Sequence, residues 1–145
     1  MLRESIADSF VMDPGLLAGP REELGRTLAR YVVMKDPAST DFDPVLILLR
    51  AAGNERTAAL LRESFDQQLV EPLAAWLGGE RALSRAGLIV AELFGVVFSR
   101  FILGSQPMVA ADPETLIDLV GATLQALIDD PAEDTGSTGS SRWRT

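Results

Sequence analysis

The sequence predicts an all-α protein, an antiparallel bundle of about six helices. Apolar residues recur at three- and four-residue spacing in successive segments, the pattern of one-sided helices. No stretch of useful length alternates apolar and polar residues with period two, so no sheet is expected. Pro, Gly, Asp and Asn punctuate the chain where helix starts and stops require them.

The first helix is expected over residues 2–12, where Leu2, Ile6 and Phe10 form one stripe and Asp13-Pro14-Gly15 stops it. The second begins at Pro20, since proline is tolerated in a first turn, and Glu22 and Glu23 complement its dipole. Its expected inner face is Leu24, Leu28, Tyr31 and Val32, with Arg21, Arg26 and Arg30 mostly outside and Lys35-Asp36-Pro37 as the stop. Asp43 caps a third helix with Pro44 in its first position. The apolar run 45–49 is hydrophobic all round and is expected to be buried, and Gly53 closes it.

Asn54 caps the fourth helix, whose inner face is traced by Leu61, Phe65, Leu69, Leu73 and Trp76. Pro72 lies inside it and cannot donate to the Gln68 carbonyl, so a bend is expected. Gly78-Gly79 ends it. The fifth helix spans about 80–103 and stops at Gly104 and Pro107. The sixth starts at Asp112 as N-cap, followed by Pro113 and Glu114, and carries Leu116, Ile117, Val120, Leu124, Leu127 and Ile128 on a wide apolar face. Residues 1–130 thus form one helical domain. Residues 131–145 are too rich in Gly, Ser, Thr and charge to order themselves, and a disordered tail is expected there.

Composition narrows the chemistry. A chain of 145 residues, 47% apolar and 23% charged, suits one globular domain. Its net charge of −8 repels phosphate backbones and makes the surface a poor nucleic-acid ligand. The sequence has no cysteine and no histidine. That removes disulfides, thiolate and imidazole catalysis, and almost every zinc site. No calcium-loop spacing and no phosphate-binding glycine loop occurs. Neither enzyme activity nor a cofactor is expected. The stretch 86–103 is apolar enough to raise a membrane-spanning reading, but Glu92, Ser99 and Arg100 within it would be costly in lipid, and a buried helix is expected instead. The N-terminus is charged and amphipathic, unlike a secretory signal, and a cytoplasmic location is expected.

Two features invite function. Gly87, Ala91, Gly95 and Ser99 recur every fourth residue, and Gly121 and Ala122 lie on or beside the apolar face of the last helix. Such small-residue faces admit another backbone closely, either within the protomer or in a four-helix association of two copies. The middle helices also carry Tyr31, Met34, Phe65, Trp76, Phe94 and Phe98, with Arg50, Gln68, Glu92 and Arg100 set among apolar neighbours. Buried polar groups need partners, which the protein or a ligand must supply.

The segment LLRAAGNERTAALLRESFDQQLVEPLAAWLGG combines a short helix broken at Ala-Ala-Gly-Asn with a long helix carrying a late proline and a Gly-Gly end. It resembles the C-terminal regulatory domain of TetR-family transcriptional repressors. RALSRAGLIVAELFGVVFSRFIL resembles that family's first dimerisation helix, and ADPETLIDLVGATLQALI its last. Residues 2–12 resemble the helix joining the DNA-binding head to the body, and the likeness covers roughly 21–130. The resemblance implies a homodimer built by the last two helices and a pocket bounded by the second to fifth. The pocket would hold a small hydrophobic effector that shifts the joining helix and releases the operator. The family's helix-turn-helix precedes the joining helix, where Met1 stands here, so no direct nucleic-acid contact is expected of this chain.

On that resemblance, the expected ligand contacts are Tyr31, Met34, Leu46, Arg50, Phe65, Leu69, Phe94 and Phe98, with Arg50 and then Glu92 as polar anchors. The expected dimer face comprises Gly87, Ala91, Gly95, Leu116, Val120 and Leu124. A helical interaction module without ligand, and a carrier of apolar small molecules, are the alternatives.

Overall fold

The structure, a computed structural model, describes residues 14–36, 49–51 and 53–130. The helix expected over 2–12, most of the third helix and the 131–145 tail lie outside the described residues. Those described are helical with no strand among them. Two 3-10 turns, Pro14–Leu17 and Arg21–Glu23, lead into α1 (Leu24–Val33). Helix α2 (Glu55–Phe65) continues through a π turn (Asp66–Val70) into α3 (Glu71–Leu77). Helix α4 (Ala82–Val97) runs into a second π turn (Phe98–Ile102), and a short α5 (Gln106–Ala110) leads to α6 (Pro113–Asp129).

The local signals act as expected. The Asn54 side chain accepts from the backbone N–H groups of Arg56 and Thr57 at 3.1 and 3.2 Å. Asp112 accepts from the Thr115 N–H at 3.2 Å. Each cap satisfies donors that the first helical turn leaves without partners and stabilises its helix by about 1 kcal/mol. Gly78 ends α3 at φ 65°, a conformation that a Cβ would strain. Pro72 falls in the first turn of α3, directly after the π turn. There the Glu71 N–H reaches back five residues to the Asp66 carbonyl. The widened turn accommodates the proline in place of a simple missing bond.

Helix α1 lies antiparallel along α6. Arg21 reaches Gln125 and Ile128, Gly25 meets Gly121, and Arg26 and Arg30 meet Glu114. The approach is close enough that a Cβ on Gly25 would lie 2.6 Å from the Gly121 carbonyl oxygen and 2.8 Å from the Gln125 nitrogen. The Gln125 amide fills the remaining polar need, accepting from the Gly25 N–H at 2.8 Å and donating to the Arg21 carbonyl at 3.0 Å. Gly121 therefore serves packing inside the protomer.

This close approach also rotates the buried stripe of α1. It runs through Leu24, Gly25, Leu28, Ala29, Val32 and Val33, and Tyr31 is left 50% exposed, not on the inner face expected for it. Leu49, expected to be buried, is 48% exposed. Around the α1–α6 pair, Leu61, Leu73, Ile89, Val90, Ile117, Leu124 and Ile128 form the fully buried centre. The stretch Ala82–Ile102 has the length and hydropathy to cross a membrane. In this fold it is a packed helix whose inner side is Ala86, Ile89, Val90, Val96 and Val97.

Candidate functional site

Helix α4 divides the expected site residues between two flanks. Phe94 lies on one. Its ring meets Phe65 of α2 edge to face, with centroids 5.3 Å apart and planes at 86°. Such pairs contribute about 1 kcal/mol beyond area burial. Leu69, one turn beyond Phe65, is buried in the core, and Phe98, one turn beyond Phe94, packs partly buried against it. Gln68 sits beside Leu69 in the π turn, and its buried Oε1 has no hydrogen-bond partner. π turns recur at functional sites because they re-aim side chains. Phe65, Leu69, Phe94 and Phe98 thus all belong to the hydrophobic core, Phe65 and Phe94 in direct ring contact, and Gln68 of the π turn carries a buried oxygen without a donor.

Glu92 lies on the opposite flank of α4, because two residues along a helix turn the side chain by about 200°. Its carboxylate accepts from the Thr123 hydroxyl of α6. The structure therefore parts Glu92 from Phe94 and sets it in the α4–α6 seam. Tyr31 and Met34 are 50% and 58% exposed. Tyr31 borders a separate cleft of about 500 Å³ with Leu16, Glu23, Arg26, Thr27 and Arg30. Arg50 is exposed, and Leu46 lies outside the described residues.

The expected dimer residues are similarly sorted. A Cβ built on Gly87 or Gly95 meets nothing within 4 Å, and Ala91 between them is exposed. Leu88 on the same face is 56% exposed. On α6 the outward residues are Leu119 (63% exposed), Ala122, Thr123 and Ala126. Val120 is half-buried, whereas Leu116 and Leu124 point into the protomer core. The buried stripe of α6 is wider than its apolar periodicity separates, because α1 and α4 both pack on it.

Sequence reasoning overlooked a polar clamp at the end of α6. Arg85, buried at 6% exposure, donates from Nε to the Leu127 carbonyl (2.8 Å) and from Nη2 to the Ile128 carbonyl (2.6 Å). Its Nη1 serves the Gly78 and Glu80 carbonyls at 3.0 and 3.3 Å. Arg21 donates to Leu77 and Ile128 carbonyls, both at 3.0 Å, and stacks over Trp76. Arg81 and Arg85 both reach Asp130. Carbonyls at helix C-termini lack intrahelical donors, and cations there also complement the dipole. The only signal in the sequence is an arginine among small and apolar residues.

At the exposed rim of the α1–α6 pair, Arg26 bonds Asp118 at 2.5 Å and Glu114 at 3.1 Å. The hydrogen bond donated to Asp118, aided by both carboxylate charges, holds the Arg26 guanidinium above its ordinary range despite an opposing desolvation. Among the described residues, no group of three or more carboxylates is arranged to hold a metal ion.

The family described as tetracyclin repressor-like, C-terminal domain, matches residues 22–128. The chain belongs to this TetR-type C-terminal domain family, whose members are ligand-binding and dimerisation domains of regulators. No curated protein and no solved structure matches it.

Proposed function

We propose that this domain senses a small hydrophobic effector and homodimerises within a cytoplasmic TetR-like repressor, controlling operator binding by the helix-turn-helix head it works with. The observation that carries the sensing role is the aromatic cluster of Phe65, Phe94 and Phe98 beside the unpartnered Gln68 Oε1. Effector pockets are predominantly apolar with a few orienting polar groups. Leu69 belongs to the same wall, and Leu46 and Arg50 are proposed further contacts, whereas Tyr31 and Met34 are exposed and Tyr31 borders a separate cleft. The effector must favour one of two domain states for its binding to be felt by the head.

The proposed dimer face joins Gly87, Ala91 and Gly95 of α4 to Leu119, Ala122 and Ala126 of α6, edged by Val120 and backed from within by Leu116 and Leu124. Small residues there allow the backbones of two copies to approach. A ligand-free interaction module is the second reading, favoured by the Phe65–Phe94 contact, which occupies space an effector would use.

Thermal unfolding in the presence of a diverse apolar library tests the sensor. A ligand at a hundred times its Kd raises stability by about 2.7 kcal/mol, and Phe94→Ala is expected to abolish that response. A flat response across the library overturns sensing in favour of the interaction module. Sedimentation equilibrium is expected to give twice the 15.6 kDa protomer mass.

A further inference from the structure

Resting on the effector site proposed above, we infer that its effector is an apolar molecule bearing a neutral hydroxyl, an alcohol or a phenol, and that Gln68 is the residue that selects it. Gln67 and Gln68 are neighbours in the π turn between α2 and α3, and their amides have opposite fates. Gln67 is exposed and donates to the Glu63 carboxylate at 3.3 Å. Gln68 Oε1 is buried and accepts from no donor in the protein. Leu69 and Val70, next in the turn, are buried core residues, and Phe65 directly precedes the turn. The turn packs on α4, the helix that carries Phe94.

Among the described residues the other buried side-chain polar atom without a partner is Arg100 Nε, a donor whose guanidinium is already tied through Nη1 to the Met108 carbonyl. Gln68 Oε1 is thus the buried acceptor left open. An amide oxygen taken out of water without a donor disfavours folding, whereas a leucine or methionine of similar volume carries no such cost. Glutamine at this position is therefore a burden on the free domain that a bound donor removes.

The chemistry of the oxygen defines the group it takes. An amide carbonyl accepts and never donates. A carboxylate, ether or ketone brings acceptors alone and leaves it unsatisfied. An ammonium brings donors, but a full charge is costly against a wall of Phe65 and Leu69. A neutral amide brings a carbonyl of its own that needs a further donor. A hydroxyl donates without charge and adds one small polar atom to an apolar body.

Isothermal titration and thermal unfolding of the full chain test this with menthol, menthone and menthane, and with thymol and cymene, which share a skeleton and differ in the oxygen. The natural protein is compared with Gln68→Leu, and with Gln68→Met, which keeps the unbranched shape. Comparing variants with each compound cancels the cost of drying the hydroxyl itself. Both variants are expected to lose about tenfold in affinity for menthol and thymol and to stay within about twofold for menthane, cymene and menthone. Without ligand, both are expected to melt about 3 °C higher, because the unsatisfied oxygen is gone. Binders from the wider library are compared with their hydroxyl-free counterparts in the same way. Affinities for the hydroxyl compounds that are equal in natural and variant proteins overturn the inference and leave the sensor standing. A menthone affinity that falls together with that of menthol overturns the choice of a donor, and a lower melting temperature in both variants shows that the oxygen already has a partner and overturns it too. No response to any compound, in the natural chain and variants alike, overturns the sensing role and this inference with it.

Discussion

Two pairs of glycines face opposite ways in this domain. Gly25 and Gly121 meet across the α1–α6 contact, where a Cβ on Gly25 would collide with backbone atoms and one on Gly121 would press on the Arg26 backbone at 3.2 Å. Gly87 and Gly95 stand on the outer side of α4, where an added Cβ would touch nothing within 4 Å. The first pair holds the protomer together, and its small size is a steric necessity. The second carries a conformational cost in a helix interior with no intramolecular contact to offset it. A small residue whose cost is uncompensated within one chain points to a contact outside it.

That contrast can be broken most strongly at the inner pair. Gly25→Val is expected to lose about 3 kcal/mol in urea unfolding, since the obstructing atoms are backbone and cannot swing away. Arg85→Met comes next, at about 2 kcal/mol, because the Leu127 and Ile128 carbonyls of α6 and the Gly78 and Glu80 carbonyls that follow α3 lose this donor together. The outer pair should behave in the opposite sense. Gly95→Ala is expected to raise stability by about 0.5–1 kcal/mol through helix propensity. Gly95→Arg should leave the melting temperature near its natural value while abolishing the dimer in sedimentation. The smallest effect is expected at the rim. Asp118→Asn removes a partner of Arg26, both groups being half-exposed or more, and the melting temperature should stay within experimental scatter. A stability loss at Gly95→Ala as large as at Gly25→Val would erase the distinction between the two faces.

The features legible in the sequence are those whose physics is local. Asn54 and Asp112 bond amides two or three residues ahead, and Gly78 takes a backbone angle that only its own Cβ would oppose. The helices between these signals follow. What depends on the third dimension was harder to read. Tyr31 shares the apolar spacing of α1, but the side on which Gly25 and Ala29 admit α6 decides which edge is buried. Leu116 and Leu124 share the apolar face of α6 with Val120, and only the placement of α1 and α4 turns them inward. Gly121 and Gly95 look alike as letters and differ by what lies opposite. The role of Arg85 was invisible because its acceptors on α6 lie 42 and 43 residues further along the chain. Of the aromatic cluster, the residues themselves were evident, while the parting of Glu92 from Phe94 follows from helical phase and its Thr123 partner.

One oxygen atom joins segments that the chain keeps far apart. The Ile128 carbonyl receives Arg21 from ahead of α1 and Arg85 from the first turns of α4, and Arg21 also holds the last carbonyl of α3. Both lone pairs of that oxygen are occupied, so three segments distant in the chain share one acceptor, and losing either arginine leaves a lone pair at the end of α6 without its donor.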